Sequence, residues 1–141
     1  MSIQKTLSII KPDATKRNIT GKINSKFEDA GIEIIAQKRI KLTKRDAEKF
    51  YGIHKDKPFF DDLVNYMISG PVIIQVLKGK NVVELNRKIM GATDPKEAED
   101  KTIRKEFALN IEQNSVHGSD SIENANNEIK FFFSETEIIE D

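Results

Sequence analysis

The chain contains no cysteine, which excludes a disulfide scaffold and any cysteine-ligated metal site and fits a reducing compartment. No apolar run approaches the roughly 18–20 residues that span a bilayer. The opening Met1-Ser2-Ile3-Gln4-Lys5 lacks a charged segment followed by an apolar one, so no secretory signal is expected. There is no excess of charge either, since 23 basic residues balance 23 acidic ones. A duplex-binding protein ordinarily shows a basic balance or stripe, so nucleic acid is not an expected partner. A small anion held by a few convergent cations needs no such excess. The charge is uneven along the chain, with 14 basic and 7 acidic residues over 1–57 and 9 and 16 over 58–141. Also missing are G-x-x-x-x-G-K-[ST] and G-x-G-x-x-G, which excludes a P-loop and a Rossmann or kinase glycine loop. No repeat, low-complexity stretch or linker interrupts the sequence. Its 141 residues can bury a core unaided, and the expectation is one cytosolic domain over 1–141.

The elements are legible from period and punctuation. Ile3–Ile10, with Leu7 and Ile9 on one face, predicts a strand ending at Lys11-Pro12-Asp13. Ile23, Phe27 and Ala30 predict a helix over 18–30, with Gly31 at the position after its cap. Ile32, Ile34 and Ala36 alternate, and so do Ile40 and Leu42, which predicts one long strand with a bulge between the two sets. Thr43 and Asp46 mark a helix start running through Ala47 and Phe50. Pro58 opens a helix carrying Phe59, Leu63 and Met67, and Ser69-Gly70-Pro71 breaks it before a strand over 72–77. Residues 81–90 predict a helix with Val82, Leu85 and Ile89 on one side. Residues 91–109 predict an unusually long loop, of the kind that is functional when it occurs in a compact domain. A short strand is expected over 110–116. Asp120-Ser121-Ile122-Glu123 then reads as a capping box before a helix with Ile122, Ala125, Ile129 and Phe132 inward. The order reduces to βαββαβ with added helices. That is an α+β (mixed α/β) ferredoxin-like fold on a four-stranded antiparallel sheet.

Two histidines are present, His54 and His117. His117 stands in Asn114-Ser115-Val116-His117-Gly118-Ser119-Asp120-Ser121, at a strand end directly before a helix N-terminus. Such a junction offers backbone N–H groups and a positive dipole end to phosphate. Helix capping accounts for Ser119-Asp120-Ser121 by itself, but not for a histidine in front of it. A nucleophilic imidazole needs one free nitrogen and the other held as N–H by an acceptor. Glu128, on the following helix, is either that acceptor or an exposed helix carboxylate. Lys11 beside Pro12 is better fixed than a surface lysine. Arg87 on its helix and Arg104 in the long loop are either phosphate clamps or solvated cations. Thr93, after a Gly-Ala turn, can present a hydroxyl and N–H to phosphate. Phe59 and Phe60 cannot both point inward, which leaves one to stack on a base.

In register, these segments resemble the nucleoside diphosphate kinases over about 6–133. The most specific is Asn114-x-x-His117-Gly118-Ser119-Asp120-Ser121. Supporting it are Ile10-Lys11-Pro12-Asp13, Tyr51-x-x-His54, Lys57-Pro58-Phe59-Phe60, Ser69-Gly70-Pro71, Arg87-x-x-Met90-Gly91-Ala92-Thr93-Asp94-Pro95, Thr102-Ile103-Arg104 and Glu128-Ile129. The resemblance implies a ping-pong transfer of the γ-phosphate from ATP to a nucleoside diphosphate through a phosphohistidine on His117. It implies that Lys11 and Asn114 contact the sugar hydroxyls and that Phe59 stacks under the base. Leu63 and Ile111 line the base cleft in this scheme, while Tyr51, Arg87, Thr93 and Arg104 surround the phosphates. Ser119 and Glu128 buttress the histidine.

Mg²⁺ is then expected on the nucleotide's phosphates, with no protein metal cage. The expected partners are nucleoside di- and triphosphates and copies of this chain in a closed oligomer, a hexamer or a tetramer. The long loop becomes a nucleotide clamp and subunit contact. One departure stands out, since the family commonly has Gly before Thr-Ile-Arg and this chain has Lys101. The acidic Glu135-Thr136-Glu137 tail reads either as a subunit contact or as frayed chain. Two other readings compete with an active enzyme. A silent family member would have lost His117 or a phosphate cation, and neither is lost. A ligand-binding ferredoxin-like regulatory domain has no need of a histidine, a lysine and two arginines in these contexts.

Overall fold

The computed structural model describes residues 2–140; Met1 of the opening segment and Asp141, the outer limits of the expected domain, lie outside them. Four strands form one antiparallel sheet in the order β2-β3-β1-β4, the ferredoxin-like arrangement that the element order predicts. They are β1 (Ile3–Ile10), β2 (Glu33–Ile40), β3 (Val72–Lys80) and β4 (Val116–Gly118). The central strands β1 and β3 are buried over residues 6–10 and 72–77, where the polar Thr6, Ser8 and Gln75 are buried among apolar neighbours.

Each sheet face carries its own core. On one, Ile10, Ile73, Leu77 and Val116 pack with helix α2 (Thr20–Asp29), helix α5 (Val82–Met90) and helix α6 (Ile103–Phe107). On the other, Leu7, Ile9, Ile74 and Val76 pack with α3 (Lys44–Phe50), α4 (Phe60–Met67) and α7 (Ile122–Phe132). Strand alternation sorts the side chains between them.

The departures from the sequence reading have local causes. The expected 18–30 helix begins only at Thr20, because Asn18 takes a left-handed φ of 58°. Before it, Pro12 starts a short extra helix, α1 (Pro12–Lys16), rather than ending a strand, since proline's fixed φ suits a first helical position. Gly31, with φ 80°, does occupy the position after the α2 cap. The β2 bulge falls between Ile34 and Ala36, earlier than expected, and Leu42 lies beyond the strand. Helix α4 starts at Phe60, two residues after Pro58.

Helix α5 turns Val82, Val83, Asn86 and Met90 inward and leaves Leu85 and Ile89 half-buried. The long loop holds α6, capped by Thr102, whose hydroxyl accepts from Lys105 N–H, and anchored by the fully buried Ile103. The strand expected over 110–116 is displaced to β4, which shares only Val116 with it. Asn110 Oδ1 closes a turn by accepting from Glu112 and Gln113 N–H, and Ser115 has φ 73°. On α7, Ser121 is the cap and Ile122 is exposed while Ala125 and Ile129 are buried. The acidic tail is docked rather than frayed. Glu137 pairs with Lys38, and Glu140 pairs with Lys5 and Lys78, while Ile139 N–H bonds the Ile35 carbonyl at the bulge.

Candidate functional site

His117 lies on β4 directly opposite Ile9 of β1, so its side chain shares Ile9's face of the sheet. The neighbouring Val116 falls into the other core by the same alternation. The edge of Phe50 lies against the imidazole, with ring centroids 5.4 Å apart at 75°. Helix α7 crosses the same face, where Ile129 is buried and places the adjacent Glu128 at the histidine. Glu128 Oε1 lies 2.8 Å from His117 Nε2. A carboxylate can only accept, so Nε2 carries the hydrogen and Nδ1 keeps its lone pair.

Ser119 locks this geometry from the other side. Its hydroxyl donates to Glu128 Oε1 at 2.8 Å and accepts from Leu7 N–H at 3.3 Å, while its own N–H bonds the Leu7 carbonyl at 3.2 Å. The fully buried Ser119 thereby extends the short β4 pairing by one residue. Gly118 faces Asn86 and Met90 of α5 so closely that a Cβ would come within 2.6 Å of Met90 Sδ.

Three residues before the histidine, Asn114 Oδ1 accepts from Lys11 Nζ at 2.9 Å, and its amide nitrogen donates to the Thr93 carbonyl at 3.3 Å. Lys11 is buried, and desolvation, with the Arg104 charge adding to it and Asp13 opposing, lowers its ammonium pKa to about 8. Arg104 is also buried, which with Arg87 lowers its pKa to about 10. Its guanidinium donates to the carbonyls of Gly91, Asn114 and Val116 at 3.1, 3.4 and 2.8 Å. The loop arginine thus braces the end of α5 against β4, with N–H groups still to spare.

A cleft of about 690 Å³ opens beside this cluster. Five of the residues singled out from sequence line it: Lys11, Phe59, Leu63, Thr93 and Ile111. Phe59 is 48% exposed with its ring tilted against that of His54, whereas Phe60 packs into the core. Sequence reasoning missed Tyr66, Asp62, Glu112 and Gln113 on the cleft wall. Tyr66 had a signal, because it lies three residues after Leu63 on one helix and shares its face.

Two residues from the sequence set lie elsewhere. Tyr51 sits in the core with its hydroxyl buried and unpaired, and burial together with Glu128 pushes its pKa up. Arg87 is exposed on α5 and lines a neighbouring cleft of about 400 Å³ with Asp120 and Ser121. Its charge nonetheless reaches the site, adding to burial in lowering the Arg104 pKa and, behind the Asn124 hydrogen bond, to the lowering of the Asp120 pKa. The whole arrangement is a free imidazole nitrogen backed by a fixed carboxylate, with cations and an apolar cleft alongside. It suits nucleophilic attack on a phosphate-bearing ligand that also carries a flat apolar group.

Comparison with known proteins agrees. Residues 4–138 match the profile of a family described as nucleoside diphosphate kinase. Curated relatives bearing that name, from Rhodospirillum centenum and Gluconacetobacter diazotrophicus, are 62% and 61% identical over 99% of both chains. A crystal structure of the Aquifex aeolicus nucleoside diphosphate kinase superposes with a TM-score of 0.96 at 40% identity, covering 98% of this chain and all of that one. A Halobacterium salinarum nucleoside diphosphate kinase in complex with CDP gives 0.94 at 33% identity, covering 99% and 93%. Among the described residues, no helix is long and apolar enough to cross a membrane.

Proposed function

The chain belongs to the nucleoside diphosphate kinase family, and from that membership we propose that it moves the γ-phosphate between nucleotides through a phosphohistidine on His117. One observation carries the reading: Glu128 holds His117 Nε2 as N–H, which leaves Nδ1 as the nucleophile. The Nδ1 lone pair attacks the γ-phosphorus, the bridging P–O bond breaks, and the diphosphate leaves with the electron pair. In the second half the acceptor's terminal β-oxygen attacks phosphorus and the N–P pair returns to Nδ1. The Nε2 proton stays with the imidazole throughout, and Ser119 keeps the Glu128 carboxylate in place.

Lys11, Arg104, Thr93 and Arg87 supply positive charge and donors for the phosphates and sugar, and Asn114 joins Lys11 at the sugar. Phe59, Leu63 and Ile111 offer the base a stacking surface. Stacking reads no base edge, which suits broad nucleotide tolerance. A relative crystallised with CDP supports a nucleotide as the ligand. Tyr51 packs edge-on against Phe50, which in turn lies against the histidine ring, and supports the site from the core. The groups around the phosphate position are cations and amides, a donor set for anions. This fits Mg²⁺ arriving on the nucleotide and neutralising its phosphates. We place the enzyme in the cytoplasm as a closed homo-oligomer, a tetramer or hexamer that light scattering distinguishes.

The test is to incubate the protein with γ-labelled ATP and Mg²⁺. An acid-labile, alkali-stable label on the protein, discharged by unlabelled nucleoside diphosphate and absent in His117→Ala, is the expected result. No label on the intact chain, or an equal label on His117→Ala, overturns it.

A further inference from the structure

Asp13 sits in the first turn of α1 with its side chain fully shielded from solvent. Four donors converge on its carboxylate: Ser115 N–H at 3.2 Å, the Ser115 hydroxyl at 2.7 Å, Arg17 Nη2 at 3.0 Å and the Tyr66 phenol. A carboxylate offers about four lone-pair sites, so this one is saturated. Burying such a group is costly unless its partners are all present.

What the carboxylate holds is unusual. Ser115 is fully buried with φ 73°, a backbone state unfavourable for any residue with a Cβ. Two of the Asp13 bonds go to this one residue. The Ser115 carbonyl accepts Lys11 N–H at 2.8 Å, and the residue before it, Asn114, holds Lys11 Nζ. Tyr66 walls the cleft, and Arg17 also bonds the Phe107 carbonyl at the end of α6. Asp13 therefore joins α1, α4 and the 114–115 turn at the one point from which Lys11 projects.

We propose that Asp13 is a positioning residue for the nucleotide: its carboxylate locks the left-handed turn at Ser115 that sets Asn114 and Lys11. This rests on the cleft being the nucleotide site, as proposed above. The charged and titratable groups around Lys11 are Asp13 on α1 and Arg17 at its C-terminal cap, Arg104 on α6, Asp62 and Tyr66 on α4, and Glu112 on the turn. Burial and Arg104 drive the lysine toward its neutral form, and Asp13 opposes them.

Asp13→Asn keeps the shape and removes the charge. It is expected to raise KM for a nucleoside diphosphate about ten-fold while kcat changes far less, the scale of one lost charge-assisted bond. The alkaline limb of kcat/KM should move down by about one pH unit as Lys11 loses its counter-charge. Adding Ser115→Gly should restore most of the KM, because glycine takes φ 73° unaided, yet leave the limb displaced. A wild-type KM and limb in Asp13→Asn overturns the proposal. So does a parallel fall of activity parameters that Ser115→Gly does not rescue. If Asp13→Asn does not fold, Tyr66→Phe carries the test, with a KM increase of about three-fold expected and an unchanged KM contradicting it. Failure of the site reading itself looks different, since the intact protein would then form no phosphohistidine.

Discussion

Glu128 Oε1 stands 2.8 Å from His117 Nε2 and 2.8 Å from Ser119 Oγ, so one carboxylate oxygen ties the short edge strand to the helix that follows it. The contact selects the tautomer as well as the orientation, because an acceptor on Nε2 leaves Nδ1 unprotonated. Glu128→Gln can present its amide NH₂ to Nε2 and favour the wrong tautomer. It is expected to slow formation of the phosphohistidine by about 10- to 100-fold while nucleotide affinity stays within a factor of about two. Single-turnover labelling alongside equilibrium nucleotide titration separates the two. An equal loss of affinity would make Glu128 a structural residue.

Lys11 imposes a pH dependence of definite sign. Its folded pKa of about 8 lies below the ordinary lysine value of 10.5, so the unfolded chain binds more protons between those limits. Stability contributed by this group therefore rises from pH 8 toward 10, above which the buried Tyr51 and the half-buried Tyr66, whose ionisation is pushed up, act in the opposite sense. Lys11→Met should melt at a higher temperature than the parent at pH 7, and the gap should narrow as pH reaches 10. Nucleotide affinity should be lost at every pH, the exchange of stability for function that a buried charge represents. A gap that widens with pH contradicts the assignment.

Gly118 is needed because α5 passes directly behind the histidine. Gly118→Ala would drive a methyl into Met90 Sδ and the Asn86 amide. The side-chain amide of Asn86 is already buried with no hydrogen-bond partner. Overpacking at such a site costs about 1–3 kcal/mol, read by urea denaturation, and it should also slow phosphotransfer by displacing β4. An alanine variant as stable as the parent would show that α5 moves aside freely.

Lys101 occupies a left-handed position, φ 70°, where the family commonly has glycine. Among the described residues its carbonyl accepts from Lys26 Nζ at 3.0 Å, a bond that glycine would keep. Lys101→Gly is expected to stabilise the protein by about 1 kcal/mol, the net of left-handed strain relieved and unfolded-state entropy added. A calorimetric Tm a few degrees higher with unchanged activity is the expected result. A lower Tm would mean that the lysine side chain contributes something its backbone conformation conceals.

The sheet and its flanking helices were legible because they follow from periodicity. Alternation set β1 and β2, the Ser69-Gly70-Pro71 break set the start of β3, and the 3.6-residue pattern set α2, α5 and α7, in which Phe27, Val82 and Ile129 are buried. The exceptions were conformations without a periodic signature. The left-handed Asn18 and Ser115, the proline-initiated α1 and the single buried Ile103 that anchors α6 each depend on one residue's contacts.

Sequence alone determined the residue types and their spacing: a histidine between an asparagine and a cap, a lysine after a strand, and a motif register sufficient to name the family. Tertiary structure decided which of them meet. Glu128 reaches His117 because β4 and α7 share one sheet face, Arg104 became a backbone brace because α6 folded over β4, and Asp13 became the keystone of Lys11's position. Contacts across 11, 10 to 13 and 102 residues leave no local pattern. They arise only when burial of two apolar faces closes the sheet and brings distant polar groups out of water together.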